Sequence, residues 1–420
     1  MPAAKPYHQE PEDKSPGLQF IALVAMLMAL MAMSIDTMLP ALGMMTEQLH
    51  SADKANEALI IILFFAGNMV GIPVFGPMSD SLGRKPSIFI GLTIFVAGTL
   101  LCALAWSFPV LLIGRVIQGF GVAGPRIVGL AMVRDSARGS AMAKIMSFVM
   151  SVFMLVPIIA PSIGQAVMLF GSWQYIFYGL GVMTLIAGSW LYFGQKETLA
   201  VDQRLRFSAT DLWNAAGEVL SNRISLGYTL ATGSVFGIIT TYLSVCRRIY
   251  VEQYDLGALF PIIFGSGGLC IAAAMIVNGN LVQKLGMRKL SRMAMIGYVC
   301  AWIGILALCM LTSGQPPLVF LLPMLGFWFF TAGFTFGNFS AMALDPMGHI
   351  AGMAAAVSAF LSQGIGIVLG VFASRYYDGA LTQIAMIFVI YSLAAFFITE
   401  WAEMGRTVSA IKPSDLPAAH

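Results

Sequence analysis

Charge is what this chain has least of. Asp, Glu, Lys and Arg make up only 10% of its 420 residues, against 58% hydrophobic ones, where soluble domains carry about 25% charged residues. With a mean hydropathy of +0.83, there is too little polar surface to clothe a water-soluble fold. The formal net charge is only +3, and the basic residues stand in short clusters between apolar runs. That argues against a nucleic-acid partner. Cysteine is also scarce: Cys102, Cys246, Cys270, Cys300 and Cys309 include no C-x-x-C pair and read as small hydrophobes without disulfides or metal. Four histidines leave little for a metal site. No P-loop, H-E-x-x-H or G-x-S-x-G is present, so neither nucleotide-driven nor hydrolytic chemistry is expected, and no cofactor. No cleavable signal is expected either. The first 17 residues are polar and include Glu10, Glu12 and Asp13, and the apolar run after them is too long for a signal core.

What the chain has instead is apolar runs, each near the roughly 20 residues that cross a bilayer. Twelve qualify, at about 18–40, 57–78, 87–106, 108–133, 142–168, 173–194, 224–246, 256–278, 290–312, 316–340, 349–374 and 379–400. The expected fold class is therefore an all-α membrane protein of about 12 transmembrane helices. With both termini placed in the cytoplasm, seventeen Lys and Arg fall in inside segments and only four (Lys54, Arg247, Arg248 and Arg375) in outside loops. That asymmetry sets the orientation. The long segment 195–223 divides a six-helix half at 18–194 from a second at 224–402, leaving cytoplasmic tails at 1–17 and 403–420. Within it, Ser208 to Asp211 has the form of a helix cap, and Leu212, Trp213, Ala216, Val219 and Leu220 would share one face of an interfacial linker helix.

A weak repeat supports the halving. Gly76 to Lys85 follows the second run and Gly279 to Lys289 follows the eighth. Both read as Gly, six residues, Gly, then basic residues. Repeated halves are how many transporters build a site at a shared interface.

Ionisable residues inside a span are costly and need a partner or water. One acid lies clearly within a run, Asp36, about a turn below the outer end at Pro40. Two arginines lie in the fourth, Arg115 and Arg126. Asp36 and Arg115 fall at similar depth and could pair. Arg126, eleven residues on, shares the face of Arg115 but lies nearer the cytoplasm, where it could snorkel. A carboxyl that alternates between wet and dry, or paired and unpaired, binds and releases a proton, which suits Asp36 to proton coupling or substrate contact. A static pair fixing helix packing is the plainer reading. At the cytoplasmic end of the second helix, Gly76 would admit a neighbouring helix, and Asp80 could face a helix N-terminus or pair with Arg134. Pro157, Pro161 and Gly164 mark the fifth helix as kinked or closely packed. Gly366 and Gly370 form a small-xxx-small packing pair. Asp345 and His349 flank the start of the eleventh helix; a His there could titrate near neutral pH, and a capping or loop role is the plainer reading. The 28 methionines suit varied apolar ligands where they line a cavity.

Together these residues resemble the major facilitator superfamily, over about 18–402. Gly76, Asp80, Gly83, Arg84 and Lys85 match its first conserved loop, while Met78, Ser79 and Ser81 depart from it. The resemblance implies two six-helix halves with nested inverted repeats. Arg115, Gln118, Gly119 and Gly121 look like the fourth-helix motif linked in that family to proton transfer. Ala160, Pro161 and Gly164 look like the end of its fifth-helix antiporter motif, with Val156 where an upstream Gly is usual. Asp36, Pro40, Ala41 and Leu42, with Arg134 and Asp135, resemble the drug–proton antiporters of the bicyclomycin and chloramphenicol resistance type. Some relatives carry a second acid two turns before Asp36, where this chain has Met28. The resemblance implies a monomeric antiporter of the bacterial inner membrane, exchanging protons for small amphipathic molecules, with membrane lipid around it. A metabolite transporter on the same fold, and a non-transporting receptor or scaffold, remain open beside it.

Overall fold

The computed structural model describes residues 17–51, 53–137, 139–204 and 209–404. Ser208 and most of both tails lie outside the described residues. Among these described residues there are twelve long helices: α1 (Leu18–Asp36), α2 (Glu57–Leu82), α3 (Arg84–Ala103), α4 (Phe108–Ser136), α5 (Gly139–Phe170), α6 (Gln174–Gly194), α7 (Arg223–Arg247), α8 (Phe260–Leu285), α9 (Met287–Leu311), α10 (Leu318–Leu344), α11 (Ala351–Arg375) and α12 (Leu381–Glu403). A linker helix, Ala209–Ser221, lies between α6 and α7. The described residues contain no strand. By length and apolarity alone, α10 and α11 merge into one segment, Leu318–Arg375. They separate at the turn Asp345–Ile350, where Met347 leaves helical geometry (φ −108°, ψ 22°). Large apolar side chains such as Leu169, Phe170, Phe193 and Ile276 cover the outside of the bundle, the surface that lipid solvates.

Most helices outrun the apolar stretches, because the backbone stays hydrogen-bonded past the hydrocarbon core. The first does the reverse. It was expected to reach residue 40 but ends at Asp36. Pro40 has no N–H to return to the Asp36 carbonyl, and the chain passes through a tight turn, Leu39–Ala41, into a short helix, Leu42–Gln48. Proline is otherwise accommodated inside α2, α4, α5 and α10, where neighbouring helices and hydroxyl side chains re-satisfy freed backbone groups. The repeat seen in the sequence has a structural counterpart. Gly83 (φ 106°) and Gly286 (φ 77°) both break the chain between consecutive helices in a conformation that L side chains rarely adopt.

Helices α1–α6 pack mainly among themselves, as do α7–α12; the two sets meet chiefly where α2 touches α7 and α11 and where α5 touches α8. The sets are glued differently. In the first, glycines let backbones touch: a Cβ on Gly119 would stand 1.9 Å from the Phe64 carbonyl oxygen of α2, and one on Gly121 2.4 Å from the Phe95 nitrogen of α3. In the second, aromatic rings interlock, with Trp302 4.6 Å from Phe388 and 5.0 Å from Trp328 between ring centres. Gly366 and Gly370 of α11 seat against Phe236 and Thr240 of α7, the packing role expected of them.

Two expectations need correction. Gly76 makes no close approach; a Cβ there would meet nothing within 4 Å, and the contact is made upstream by Gly67 and Gly71. The linker helix buries Ala215 and Val219, with Leu212 and Ala216, against Met347, Ala354 and Val357. Trp213 and Leu220 point away and are exposed, because the helix docks on the start of α11 through a face rotated from the most apolar one.

Gly119→Val should therefore destabilise the protein by at least about 1–3 kcal/mol, the usual range for overpacking. Gly76→Ala should leave it unchanged. Thermal unfolding of the detergent-solubilised variants, followed by size-exclusion fluorescence, checks both.

Candidate functional site

Arg115 sits at the centre of the first six helices and is fully buried. Its Nε donates to the Ile60 carbonyl oxygen (2.9 Å) and Nη1 to that of Ser34 (3.2 Å) and to Oε1 of Gln118. Its guanidinium lies 4.3 Å from the Phe64 ring centre. Gln118 passes the chain on to Thr99 of α3 (2.8 Å). Arg115 and Gln118 together thus tie α4 to α1, α2 and α3. Buried arginine is tolerated here because main-chain carbonyls and a π face take up its donors. Nη2 has no hydrogen-bond partner among the described residues.

The expected pair between Arg115 and Asp36 is not made. Asp36, the last residue of α1, is 5% exposed and forms no ion pair or hydrogen bond with a described residue. Arg115 grips the Ser34 carbonyl instead. Two residues turn an α-helix by about 200°, which carries Asp36 away from the α4 side. The turn just after it, Leu39–Ala41, touches α5 of its own set and α7 of the other, so Asp36 stands at the junction of the two sets. The next residue is pinned by α5, since a Cβ on Gly164 would stand 1.8 Å from the Thr37 carbonyl oxygen. Pro157, Pro161 and Gly164 all lie within the continuous helix α5. The fifth-helix stretch and Asp36 are thus neighbours through backbone contact.

The loop between α2 and α3 closes on Arg84. Its Nε donates to Asp135 of α4 (2.8 Å), and Nη1 bonds Ser79 (2.9 Å) and Asp80 of α2. Asp80 was expected to pair with Arg134 or face a helix N-terminus, but it does neither. Arg134 is exposed and pairs with no described residue, because one residue of helix turns it away from the side Asp135 presents. The N-terminal anion is Glu197, which follows α6. Its carboxylate accepts from the backbone N–H of Arg84 and of Lys85 (both 3.0 Å), and from Thr198 (2.9 Å) and Leu199 (3.1 Å). Lys85 reaches back to the carbonyls of Gln195 and Tyr192. Gly83 is required at the centre: a Cβ there would lie 2.7 Å from Glu197 Oε2. Partial burial pushes the Glu197 carboxyl up, and the four backbone donors more than reverse this, leaving it below the usual range.

At the opposite end of the bundle, Arg247 of α7 bridges Glu57 of α2 (3.2 Å) and Glu252 (3.1 Å), and its guanidinium lies over Gly43. Nearer mid-depth, Gln363 of α11 donates to the Phe65 carbonyl oxygen (3.0 Å) and to Asn68 (3.3 Å) of α2. Neither contact was foreseen from the sequence, nor was Glu197. The free N–H groups after Gly83 announced that some acceptor was needed, but nothing named which. At the start of α11, His349 meets Glu218 of the linker helix (2.8 Å). No cluster of potential metal ligands occurs among the described residues.

Residues 22–371 match the family model described as Major Facilitator Superfamily. The chain is 28% identical to an uncharacterized MFS-type transporter, YdgK, of Bacillus subtilis (strain 168), over 90% of this chain and 94% of that one. It is 28% identical to the multidrug resistance protein MdtL of Klebsiella pneumoniae (strain 342), over 81% of this chain and 84% of that one. Its fold is similar to that of a D-xylose–proton symporter, with a TM-score of 0.73 at 14% identity, over 91% of this chain and 97% of that one.

Glu197 gives a pH test. Because its folded carboxyl titrates below the ordinary Glu value of about 4.3, its stabilisation is complete above that value and is lost as pH falls through the lower, folded one. The Glu197→Gln variant should melt at lower temperature at neutral pH, by roughly the 0.3–1 kcal/mol of a helix-terminal charge, and converge with the parent near pH 3. Parallel melting curves from pH 7 to 3 decide it.

Proposed function

Because the chain belongs to the Major Facilitator Superfamily and is a membrane transporter rather than an enzyme, we propose that it is a proton-driven antiporter exporting small amphipathic molecules. In this reading it sits in a bacterial inner membrane with both termini and the Arg84 loop in the cytoplasm. Helices 18–194 and 224–402 form two halves that rock about a path lying between them, past Asp36. The observation that carries the reading is Asp36 itself. It is the only acid clearly inside a span, nearly buried and without a partner among the described residues, at the place where α1, α5 and α7 converge. A lone intramembrane carboxyl is a functional site by default, because as a static feature it would only be costly. Deprotonated Asp36 needs water or a cation, whereas protonated Asp36 can rest in an apolar wall. A cycle that exposes it to one side and then the other moves a proton each time.

The two charged clusters serve as alternate latches. In the conformation described, the halves are clasped at the Glu57 end by Arg247. Opening that end breaks this pair, and the Arg84 cluster stiffens the first half at the other end as it closes. Similarity to MdtL supports export of drugs as the direction and cargo, and the apolar, methionine-rich interior supports an amphipathic one.

Asp36→Asn should reach the membrane normally and lose proton-driven transport, to below a tenth of the parent rate. The measurement is substrate-linked proton movement in proteoliposomes under an imposed pH gradient, with drugs chosen from a susceptibility panel in an efflux-deficient host. Undiminished pH-driven flux by the variant sinks the assignment of Asp36.

A further inference from the structure

Of the two arginines within the membrane-spanning part of α4, Arg115 and Arg126, only one has its donors engaged. Arg115 is held by two carbonyl oxygens, Gln118 and a ring. Arg126 lies three turns on and comes round to the same face. The residues on either side of it fix where that face looks: a Cβ on Gly71 of α2 would stand 2.6 Å from the Ala123 Cβ, and one on Gly129 would stand 3.6 Å from Cγ1 of Val24 on α1. Arg126 therefore occupies the wedge between α1 and α2, and it is partly accessible there. It forms no ion pair or hydrogen bond with a described residue. Turned toward other helices rather than lipid, it has no headgroup to snorkel to.

The charge inside the spans is unbalanced as a result. Two cations, Arg115 and Arg126, stand against one carboxyl, Asp36, which pairs with neither. An unpaired guanidinium at this depth is expensive to keep. Its planar fork matches carboxylate, sulfonate or phosphate oxygens two at a time. The described neighbours on that face, Gly71, Ala123, Gly129 and Val24, are apolar, which suits a ligand whose remainder is apolar. We infer that Arg126 is a binding residue for an anionic group on the transported molecule, and that the cargo class is amphipathic organic anions. This rests on the reading of the space between the halves as the transport path.

Three labelled probes of equal apolar size test it on the full chain in lipid nanodiscs: 1-naphthoate, 1-naphthalenemethanol and (1-naphthylmethyl)trimethylammonium. The expected ranking places the carboxylate at least tenfold tighter than the alcohol, with the cation weakest. Arg126→Gln should abolish the carboxylate's advantage, and Arg126→Lys should keep part of it. Retention of the full advantage by Arg126→Gln, a preference for the cation, or no naphthoate binding by the parent each overturns the inference. Should Arg126→Gln fail to fold, the parent's ranking of the three probes decides alone. The two readings fail separately. An Arg126-dependent carboxylate preference without proton movement removes proton coupling and leaves this site standing. Proton exchange for neutral or cationic drugs at the parent rate in Arg126→Gln does the reverse.

Discussion

Arg115 holds α1, α2 and α4 together through main-chain oxygens rather than through a carboxylate. That is possible only because the backbones approach closely enough for a side chain to span them. Gly119 supplies the approach to α2, and Gly121 and Gly114 supply it to α3. Between membrane helices there is no gain from hiding apolar surface from water, so association depends on close packing and on hydrogen bonds that have no competitor in lipid. The glycine face provides the first and the arginine the second. The arrangement also frees Asp36 from a structural duty, because the cation at its depth is held by main-chain oxygens instead.

Ion pairs elsewhere cluster where helices end. The Arg84 cluster gathers side chains from α2, α4 and the segment after α6 around one guanidinium and one helix N-terminus. The Glu57–Arg247 pair joins the two sets of helices at the other end, with Glu57 almost fully buried. Breaking a buried pair exposes two charges that must be rehydrated. Such contacts therefore hold one conformation firmly yet release when water enters, which suits the ends of a moving pathway. The centre behaves differently: Asp36 and Arg126 are ionisable groups for which the described residues provide no counter-charge.

Much of the fold was legible in the sequence. Apolar run length gave the spans, because a bilayer has one thickness and backbone groups inside it must bond within their own helix. The recurring Gly–basic loop located Gly83 and Gly286, since only glycine takes the turn between two helices without strain. The candidate residues of α4 and of the Arg84 loop were legible by type, but their partners were not. Glu197 is 113 residues from the N–H group of Arg84 that it accepts from. Arg247 is 190 residues from Glu57. No local pattern encodes such a pairing.

The sequence by itself determined that the chain crosses a membrane many times, that a basic loop recurs in its two parts, and that few ionisable residues lie within the spans. Each follows from a free-energy cost counted residue by residue. The tertiary structure alone decided which groups meet. It gave Arg115 to the carbonyls of Ser34 and Ile60, left Asp36 and Arg126 without partners among the described residues, and took Asp80 from Arg134 to Arg84. Helix rotation explains each outcome. A side chain's neighbours depend on an angle that changes by about 100° per residue, and that angle is set by how whole helices pack.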